Sequence, residues 1–324
     1  MREATKTSCV IISVIMIFVI LSSLAIFRTR VLVMRSLNSF SEVYLTDFSI
    51  GSGDPTDSDH PDYPGLKDDI LKMLQTAVVE NEDKMGFTAG PGAALAFIDP
   101  VATVHGVMLA KCVGFGINRS KLQNYINDCY EKTEGAKQPA DIINMLYYAI
   151  ILDEQNNNYK ISVSDDYVQK HVDRTVKALK FGNDINNDVV SARKAVEIVM
   201  DLQIHGRDIH LNMGQVRKIR RGIRKALDRE AITDSVLLTD LYLVDHALGS
   251  GLVDEEHLVK AYDRTGGDCM YNAHRFMICF DRAGIDSYAD EQVAYVRSNK
   301  ERTLGSVFMG LSIVKHSNTG GMKE

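Results

Sequence analysis

The sequence contains no tryptophan, and only 7% of its 324 residues are aromatic. Binding sites for sugars and for polyenes usually rely on large aromatic faces, so this shortage disfavours both kinds of site. Cysteine is also scarce, and Cys269 and Cys279 lie ten residues apart on one predicted helix. A helix separates them by about 15 Å, which is too far for a disulfide. We therefore expect buried free thiols at the cysteines beyond Cys9, which are Cys112, Cys129, Cys269 and Cys279.

Neither sign of charge is in large excess. The formal net charge is −6, and the charged fraction of 25% and hydrophobic fraction of 45% are ordinary for a globular protein. An acidic total disfavours nucleic acid as a partner, because binding to phosphates depends on clustered Lys and Arg. The length allows one large domain or two small ones.

A long apolar run stands near the N-terminus. Residues 9–27 are 19 uncharged and mostly apolar residues, close to the ~20 that cross a bilayer as a helix. The alternative is a cleavable signal peptide, because the small residues Ser23 and Ala25 have suitable offsets, but the apolar run continues past that point. We therefore expect residues 1–35 to form a single-pass membrane anchor, a signal-anchor, with a basic flank.

The orientation of this anchor follows from the charges beside it. Arg2 and Lys6 precede the segment, a short basic tail that is typical of an anchor with its N-terminus inside. This favours a globular domain on the extracytoplasmic side. Three basic residues also follow the segment, so the positive charges on its two sides are nearly equal: Arg28, Arg30 and Arg35.

Residues 36–66 are rich in Ser, Asp, Gly and Pro and predict a solvated linker, since this composition cannot bury a core. Their aspartates do not have the spacing of a calcium-binding EF-hand loop. Beyond the linker, residues 67–324 form the predicted globular domain. There apolar residues recur at a spacing of three to four, and no run alternates in the way that strands do.

The predicted helices are of two kinds, and the two kinds alternate along the chain. One kind is apolar nearly all round, which is typical of buried helices: 101–113, 142–152, 189–202, 236–248, 270–280 and 304–314. The other is amphipathic: 66–79, 120–131, 164–179, 214–227, 254–262 and 286–297. Glycine followed by a capping Asn or Asp separates several of them. A repeated helical hairpin of this period favours a closed double ring of about six inner and six outer helices over a bundle.

One stretch carries a family resemblance, GFTAGPGAALAFIDPVATVHGVMLA at residues 86–110. It resembles the repeat of the protein prenyltransferase and squalene cyclase superfamily, with Val104 where that repeat commonly has Tyr. Fainter copies extend the resemblance over most of residues 67–316. It implies an α/α toroid, preceded here by the transmembrane helix, in which the glycines shape a turn into an inner helix. The matching positions are Gly86, Phe87, Gly90, Pro91, Gly92, Asp99 and Thr103.

In such a ring the ends of the inner helices face a central cavity, so the resemblance implies that polar residues there bind a ligand. The alternative for each is a helix cap or a hydrogen bond between helices. The candidate cavity residues are Thr103, His105, Asp141, Asn144, Arg193, Tyr242, Tyr271 and Asn272. Candidates for acid–base catalysis are Asp240, Asp245 and His246.

The motifs that the superfamily uses for chemistry are missing. The sequence has neither the Asp-x-Asp-Asp of class II terpene cyclases nor the Cys-x-Glu-Gln of thioester domains. The zinc site of protein prenyltransferases has its nearest counterpart in Asp268, Cys269 and His274, whose types suit zinc but whose spacing departs from the family. We therefore expect no cofactor, with zinc as the alternative.

A basic helix is predicted at VRKIRRGIRKAL, residues 216–227. Its apolar positions form one stripe, and its basic residues form a second face that is either simply solvated or docks on anionic lipid headgroups. The basic residues are Arg217, Lys218, Arg220, Arg221, Arg224 and Lys225.

Three functions remain open at this level. The favoured one is a membrane-tethered toroid that binds a small molecule, lipid or protein in its central cavity without catalysis. The second is an enzyme of the prenyltransferase, terpene cyclase or six-hairpin glycosidase type. The third is an interaction protein that uses the outer ring and the basic helix.

Overall fold

The computed structural model describes residues 65–88, 97–228, 235–265, 269–299 and 303–320, with side chains described as far as residue 314. These ranges contain twelve α-helices and one two-stranded antiparallel sheet. The strands are β1 (Val78–Glu80) and β2 (Met85–Phe87). The helices are α1 (Leu66–Ala77), α2 (Pro100–Val113), α3 (Arg119–Gly135), α4 (Pro139–Asn156), α5 (Asp165–Ala178), α6 (Ile185–Ile204), α7 (Met213–Leu227), α8 (Ser235–Ala247), α9 (Glu255–Thr265), α10 (Met270–Ala283), α11 (Ala289–Ser298) and α12 (Leu304–Gly320).

The all-α class and the alternation of two kinds of helix are confirmed. The even-numbered helices, here called the inner helices, bury most of their side chains in one apolar core. The odd-numbered helices, the outer helices, bury a single stripe, as Ile219, Ile223 and Ala226 do on α7. This is the burial that all-round apolar and striped sequences predict, because an apolar face is stabilised only when it leaves water.

Contacts between the inner helices return to their starting point. Helix α2 packs on α4, α4 on α6, α6 on α8, α8 on α10, α10 on α12, and α12 packs on α2. The outer helices lie against this series: α3 contacts α4, α5 contacts α4 and α6, α9 contacts α8 and α10, and α11 contacts α10 and α12. Each inner helix therefore has two inner neighbours, whatever its position in the chain.

The connectors confirm the punctuation that the sequence predicts. Gly114 and Gly284 end α2 and α10 with φ of 73° and 70°, in the left-handed region that favours glycine. At the next helix start, the Asn118 side chain accepts a hydrogen bond from the amide of Lys121 at 3.2 Å. A glycine stop and an Asn cap thus reverse the chain within five residues.

The small sheet is a departure from the predicted all-helical domain. Helix α1 ends at Ala77 rather than near Val79, and β1 and β2 pair with Val78 opposite Phe87. The Asn81 side chain closes the turn between them by accepting from the amides of Asp83 and Lys84, at 2.9 and 2.7 Å. Strands of three residues are too short to show an alternating pattern, which is why periodicity does not reveal them.

The described part of the glycine-rich stretch anchors the sheet to α2. Thr103 accepts from the Phe87 amide at 3.0 Å and donates to the Asp99 carbonyl at 2.6 Å. A Cβ on Gly106 would lie 2.4 Å from the Phe87 ring, so only glycine lets the strand approach the helix this closely. Gly90, Pro91 and Gly92 lie outside the described residues.

No helix among the described residues is long and apolar enough to cross a membrane. The predicted anchor at residues 9–27 and the linker at 36–66 lie outside the described ranges, and both stay predictions. Cys112, Cys129 and Cys279 are buried thiols outside any disulfide, as expected, whereas the thiol of Cys269 is exposed.

Candidate functional site

A cluster of charged side chains is buried where the inner helices meet. We call it the ion cluster; none of its members exposes more than 6% of its surface. It comprises Arg193, Lys194 and Glu197 of α6, Asp240 of α8 and Arg275 of α10. Burying a charge is costly unless it is paired, so the pairing of each member decides what the cluster can do.

The two carboxylates of the ion cluster are bound by arginines. Arg193 Nη1 donates to Glu197 Oε2 at 2.5 Å, and Arg193 Nε lies 2.7 Å from Asp240 Oδ1. Arg275 Nη2 donates to the same Asp240 oxygen. Glu197 Oε1 and Asp240 Oδ2 have no hydrogen-bond partner among the described residues, so each carboxylate can still accept a bond.

Lys194 is the cation of this cluster that lacks a carboxylate. No ion pair among the described residues includes it; its ammonium donates to Asn144 Oδ1 and lies 5.4 and 4.7 Å from the ring centres of Tyr147 and Tyr148. Burial, reinforced by the charges of Arg193 and Arg275, lowers the pKa of Lys194 to about 7. When Lys194 is protonated, the cluster therefore holds three cations against two carboxylates.

Two neighbours of the buried Lys194 ammonium reach the protein surface. Asn144, which accepts from the Lys194 ammonium, is an exposed residue on α4, and Tyr148 one turn later is partly exposed. The solvent-facing side of the ion cluster is thus formed by an amide and an aromatic ring beside an ammonium. These groups suit the recognition of a small anion.

A second cluster combines two carboxyl groups with an imidazole at the C-terminal ends of α4 and α6. We call it the carboxylate cluster: Glu154, Asp201 and His205. His205 Nδ1 lies 3.4 Å from Glu154 Oε1 and 3.9 Å from Asp201 Oδ1. Among the described residues, no amide, hydroxyl, Lys or Arg donates to these carboxylate oxygens, Glu154 Oε2 included. The carboxyl groups of Glu154 and Asp201 hydrogen-bond to each other, which requires one of them to be protonated. These are the residues that could hold a metal ion.

Burial makes this cluster electrostatically costly. It raises the pKa of Glu154 to about 7, although the neighbouring Asp201 carboxyl lowers that pKa by hydrogen bonding. Burial and the charge of Glu154 raise the pKa of Asp201 well above its usual range. Two buried carboxyl groups side by side must therefore share a proton or bind a cation.

The three predicted catalytic residues are each held by other contacts. Asp240 belongs to the ion cluster, while Asp245 Oδ2 accepts from the amides of Leu252 and Val253 at 2.6 and 3.0 Å. The imidazole of His246 stacks on a second candidate, Tyr242, with ring centres 5.7 Å apart. Burial lowers the pKa of His246, so its imidazole is mainly neutral at pH 7. Asp245, because it accepts from two backbone amides, caps the turn after α8.

The predicted residues on α2 and α10 meet around Phe308 of α12. His105 stacks on the Phe308 ring at 5.0 Å, and His274 meets it edge-on at 6.3 Å. Burial lowers the pKa of His105 to about 4 and that of His274 to about 3. In the proposed zinc set His274 is thus buried and Cys269 exposed, while Asp268 lies outside the described residues.

Some of the remaining candidates lie on the protein surface and others are buried in the core. Tyr271 is 43% exposed, Asp141 is exposed at the start of α4, and Asn272 is buried. Thr103 serves the strand–helix junction described above. Of the predicted cavity residues, Asn144 and Arg193 are therefore the two that lie at the ion cluster.

The basic face of α7 is smaller than the sequence predicts. Lys218 donates to the carbonyl of Lys177 at 2.6 Å, and Arg220 donates to the carbonyl of Leu248 at 2.5 Å. Both are partly buried, because long basic side chains can reach back over the apolar surface to free carbonyls. The exposed basic residues are Arg217, Arg221, Arg224 and Lys225.

The chain matches no protein-family model, and no curated protein or solved structure is significantly similar to it. The resemblance to the prenyltransferase and squalene cyclase superfamily therefore stays a prediction. It depends on the residues between Gly86 and Thr103.

Proposed function

We propose that the protein is a membrane-tethered α/α toroid that binds a small organic anion, through a phosphate or carboxylate group, at the ion cluster. The observation that carries the proposal is the surplus of one buried cation. Lys194 has an amide and two aromatic rings around it, and among the described residues it forms no ion pair with a carboxylate. An anionic ligand supplies the missing charge, and Asn144 marks the side from which it enters.

The toroid is supported by the cyclic order of contacts among the inner helices. In a linear stack of hairpins the first and last inner helices would lie far apart, whereas α12 packs on α2. The alternation of buried and striped helices also suits two concentric layers. A ligand in the centre of such a ring contacts the inner helices, and all members of the ion cluster lie on inner helices.

The membrane tether rests on the sequence of residues 9–27, and the extracytoplasmic side rests on Arg2 and Lys6 before it. These parts of the proposal are independent of the ion cluster. Treatment of oriented membrane vesicles with a protease tests them, because an extracytoplasmic domain is cleaved only from the outer face.

Anion binding is tested by calorimetric titration of the full-length protein with inorganic pyrophosphate and with citrate. We expect one probe to bind at a single site, and Lys194→Met to weaken that binding by at least about tenfold, since a hydrogen bond to a charged group contributes roughly 1.5–3 kcal/mol. Pyrophosphate binding assigns a phosphate ligand, and citrate binding a carboxylate. Affinity falls above pH 7, where Lys194 loses its proton.

Two variants serve as controls. Lys72→Met removes the same charge from an exposed position on α1 and leaves binding unchanged. Lys194→Arg keeps the charge and retains part of the affinity. The proposal is wrong if neither probe binds, or if Lys194→Met and Lys72→Met bind a probe equally well.

A further inference from the structure

We propose that Glu154, Asp201 and His205 bind one divalent transition-metal ion, with zinc as the ion that fits the donor set best. The two carboxyl groups come from the last turns of α4 and α6, and the imidazole comes from the residue that follows α6. Nothing in the ion cluster enters this inference, so it stands apart from the proposed function.

The first argument is the direction of the donor atoms. Glu154 exposes 1% of its surface, yet the only donor that its carboxylate oxygens have among the described residues is the neighbouring Asp201 carboxyl, which donates only when it is protonated. His205 Nδ1 is 3.4 Å from one of them without making a hydrogen bond. The three donor atoms therefore lie around a shared position, which either the proton between the two carboxyl groups or a cation can occupy. Buried carboxylates normally accept several hydrogen bonds, so this arrangement calls for a cation.

The second argument is the spacing. Zinc bonds nitrogen and oxygen ligands at about 2.0–2.2 Å, so two ligands of a tetrahedral site lie about 3.3 Å apart. The separations of 3.4 and 3.9 Å from His205 Nδ1 are close to that value, and all three donor atoms lie within 4.8 Å of one another. Small rotations of the side chains bring them onto one ion.

The third argument is donor chemistry. An imidazole nitrogen suits zinc and other first-row transition metals, whereas magnesium and calcium take oxygen ligands. Three protein ligands leave a fourth tetrahedral position, which is the arrangement of zinc sites that bind water or a substrate. The doubly charged ion also balances the two carboxylates, whose burial without one is costly.

The carboxylate cluster is accessible from the protein surface at His205. The His205 side chain is 24% exposed, and Tyr159 covers it with ring centres 5.3 Å apart and planes at 23°. Asn158 and Tyr159 both have positive φ, 53° and 65°, which is rare for residues other than glycine. The turn after α4 thus adopts a left-handed backbone, which costs free energy. In this conformation it places the exposed Tyr159 ring over the His205 imidazole.

The test is zinc binding to the full-length protein after dialysis against a chelator. We expect one equivalent of zinc to bind and to raise the melting temperature, with magnesium and calcium having no such effect. Glu154→Gln, Asp201→Asn and His205→Gln each remove a ligand. Loss of a side chain that hydrogen-bonds to a metal ligand weakens metal binding by about 10- to 100-fold. We expect the loss of a ligand itself to weaken zinc binding at least as much.

The chain offers a matched control in the exposed pair Asp254 and His257, whose Oδ1 and Nδ1 lie 2.5 Å apart. His257→Gln removes an imidazole beside a carboxylate, as His205→Gln does, and leaves zinc binding unchanged. Melting curves in chelator keep the test valid if a variant is unstable. A carboxyl pair that only shares a proton would make Glu154→Gln more stable and leave zinc without effect in every variant, and this result would overturn the proposal.

Discussion

The ion cluster and the carboxylate cluster both involve α6, yet their charges are balanced in opposite ways. Arg193, Glu197, Asp201 and His205 follow one another at intervals of four residues, which keeps them near one face of the helix. The first two belong to a cluster whose carboxylates are bound by arginines and whose surplus is one ammonium. The last two belong to a cluster in which no Lys or Arg of the described residues forms an ion pair with either carboxyl group.

This difference separates stabilising contacts from binding sites. Where the protein supplies both signs, as around Asp240, the charges hold α6, α8 and α10 in register. Where one sign is left over, at Lys194 or at Glu154, the buried charge costs free energy that a ligand can recover. The comparison therefore predicts opposite effects on stability for substitutions at Asp240 and at Lys194.

The largest effect is expected at Asp240. Asp240→Asn leaves Arg193 and Arg275 without their shared carboxylate, and breaking a buried pair on one side costs about 3–5 kcal/mol. Urea denaturation measures the change in the free energy of unfolding. Asp254→Asn removes an exposed carboxylate from His257 and should cost less than about 1 kcal/mol. Equal effects at the two positions would show that burial does not set the cost.

A smaller effect, and one of the opposite sign, is expected at Lys194. Its pKa is about 7 in the folded protein, below the usual lysine pKa of 10.5, so the unfolded chain binds more protons between these values. The free energy of unfolding therefore rises with pH across this window, by at most about 1.4 kcal/mol per pH unit. Lys194→Met removes this rise and stabilises the protein near pH 7. An unchanged pH dependence in Lys194→Met would contradict the assignment.

The helices could be predicted from sequence because their signals are local. The 3.6-residue period, the Asn118 cap and the glycines after α2 and α10 act within a few residues of where they stand. The sheet at residues 78–87 could not be predicted in this way, because its strands are only three residues long. Its position depends on Thr103, a contact across 16 residues.

The sites were only partly predictable because they depend on contacts between distant helices. Arg193 and Asp240 were named as candidates, but their pairing joins residues on different helices and has no local signal. Glu154, Asp201 and His205 were missed, although charges at four-residue steps in an apolar helix were visible in the sequence. Such a row of charges is common on outer helices, and only burial makes it informative.

The smallest effect is expected on α7, where four basic side chains are exposed in the part of the chain that the structure describes. We propose that its exposed face contacts anionic lipid, each basic residue near the surface contributing about 1 kcal/mol. Arg221→Gln should weaken partitioning of the full-length protein onto phosphatidylserine vesicles at low salt but not at high salt, because exposed charges are screened. The contribution of residues 9–27 is the same in every variant and cancels. Arg264→Gln, an exposed arginine on α9, is the control, and equal losses from Arg221 and Arg264 would reject a specific lipid face.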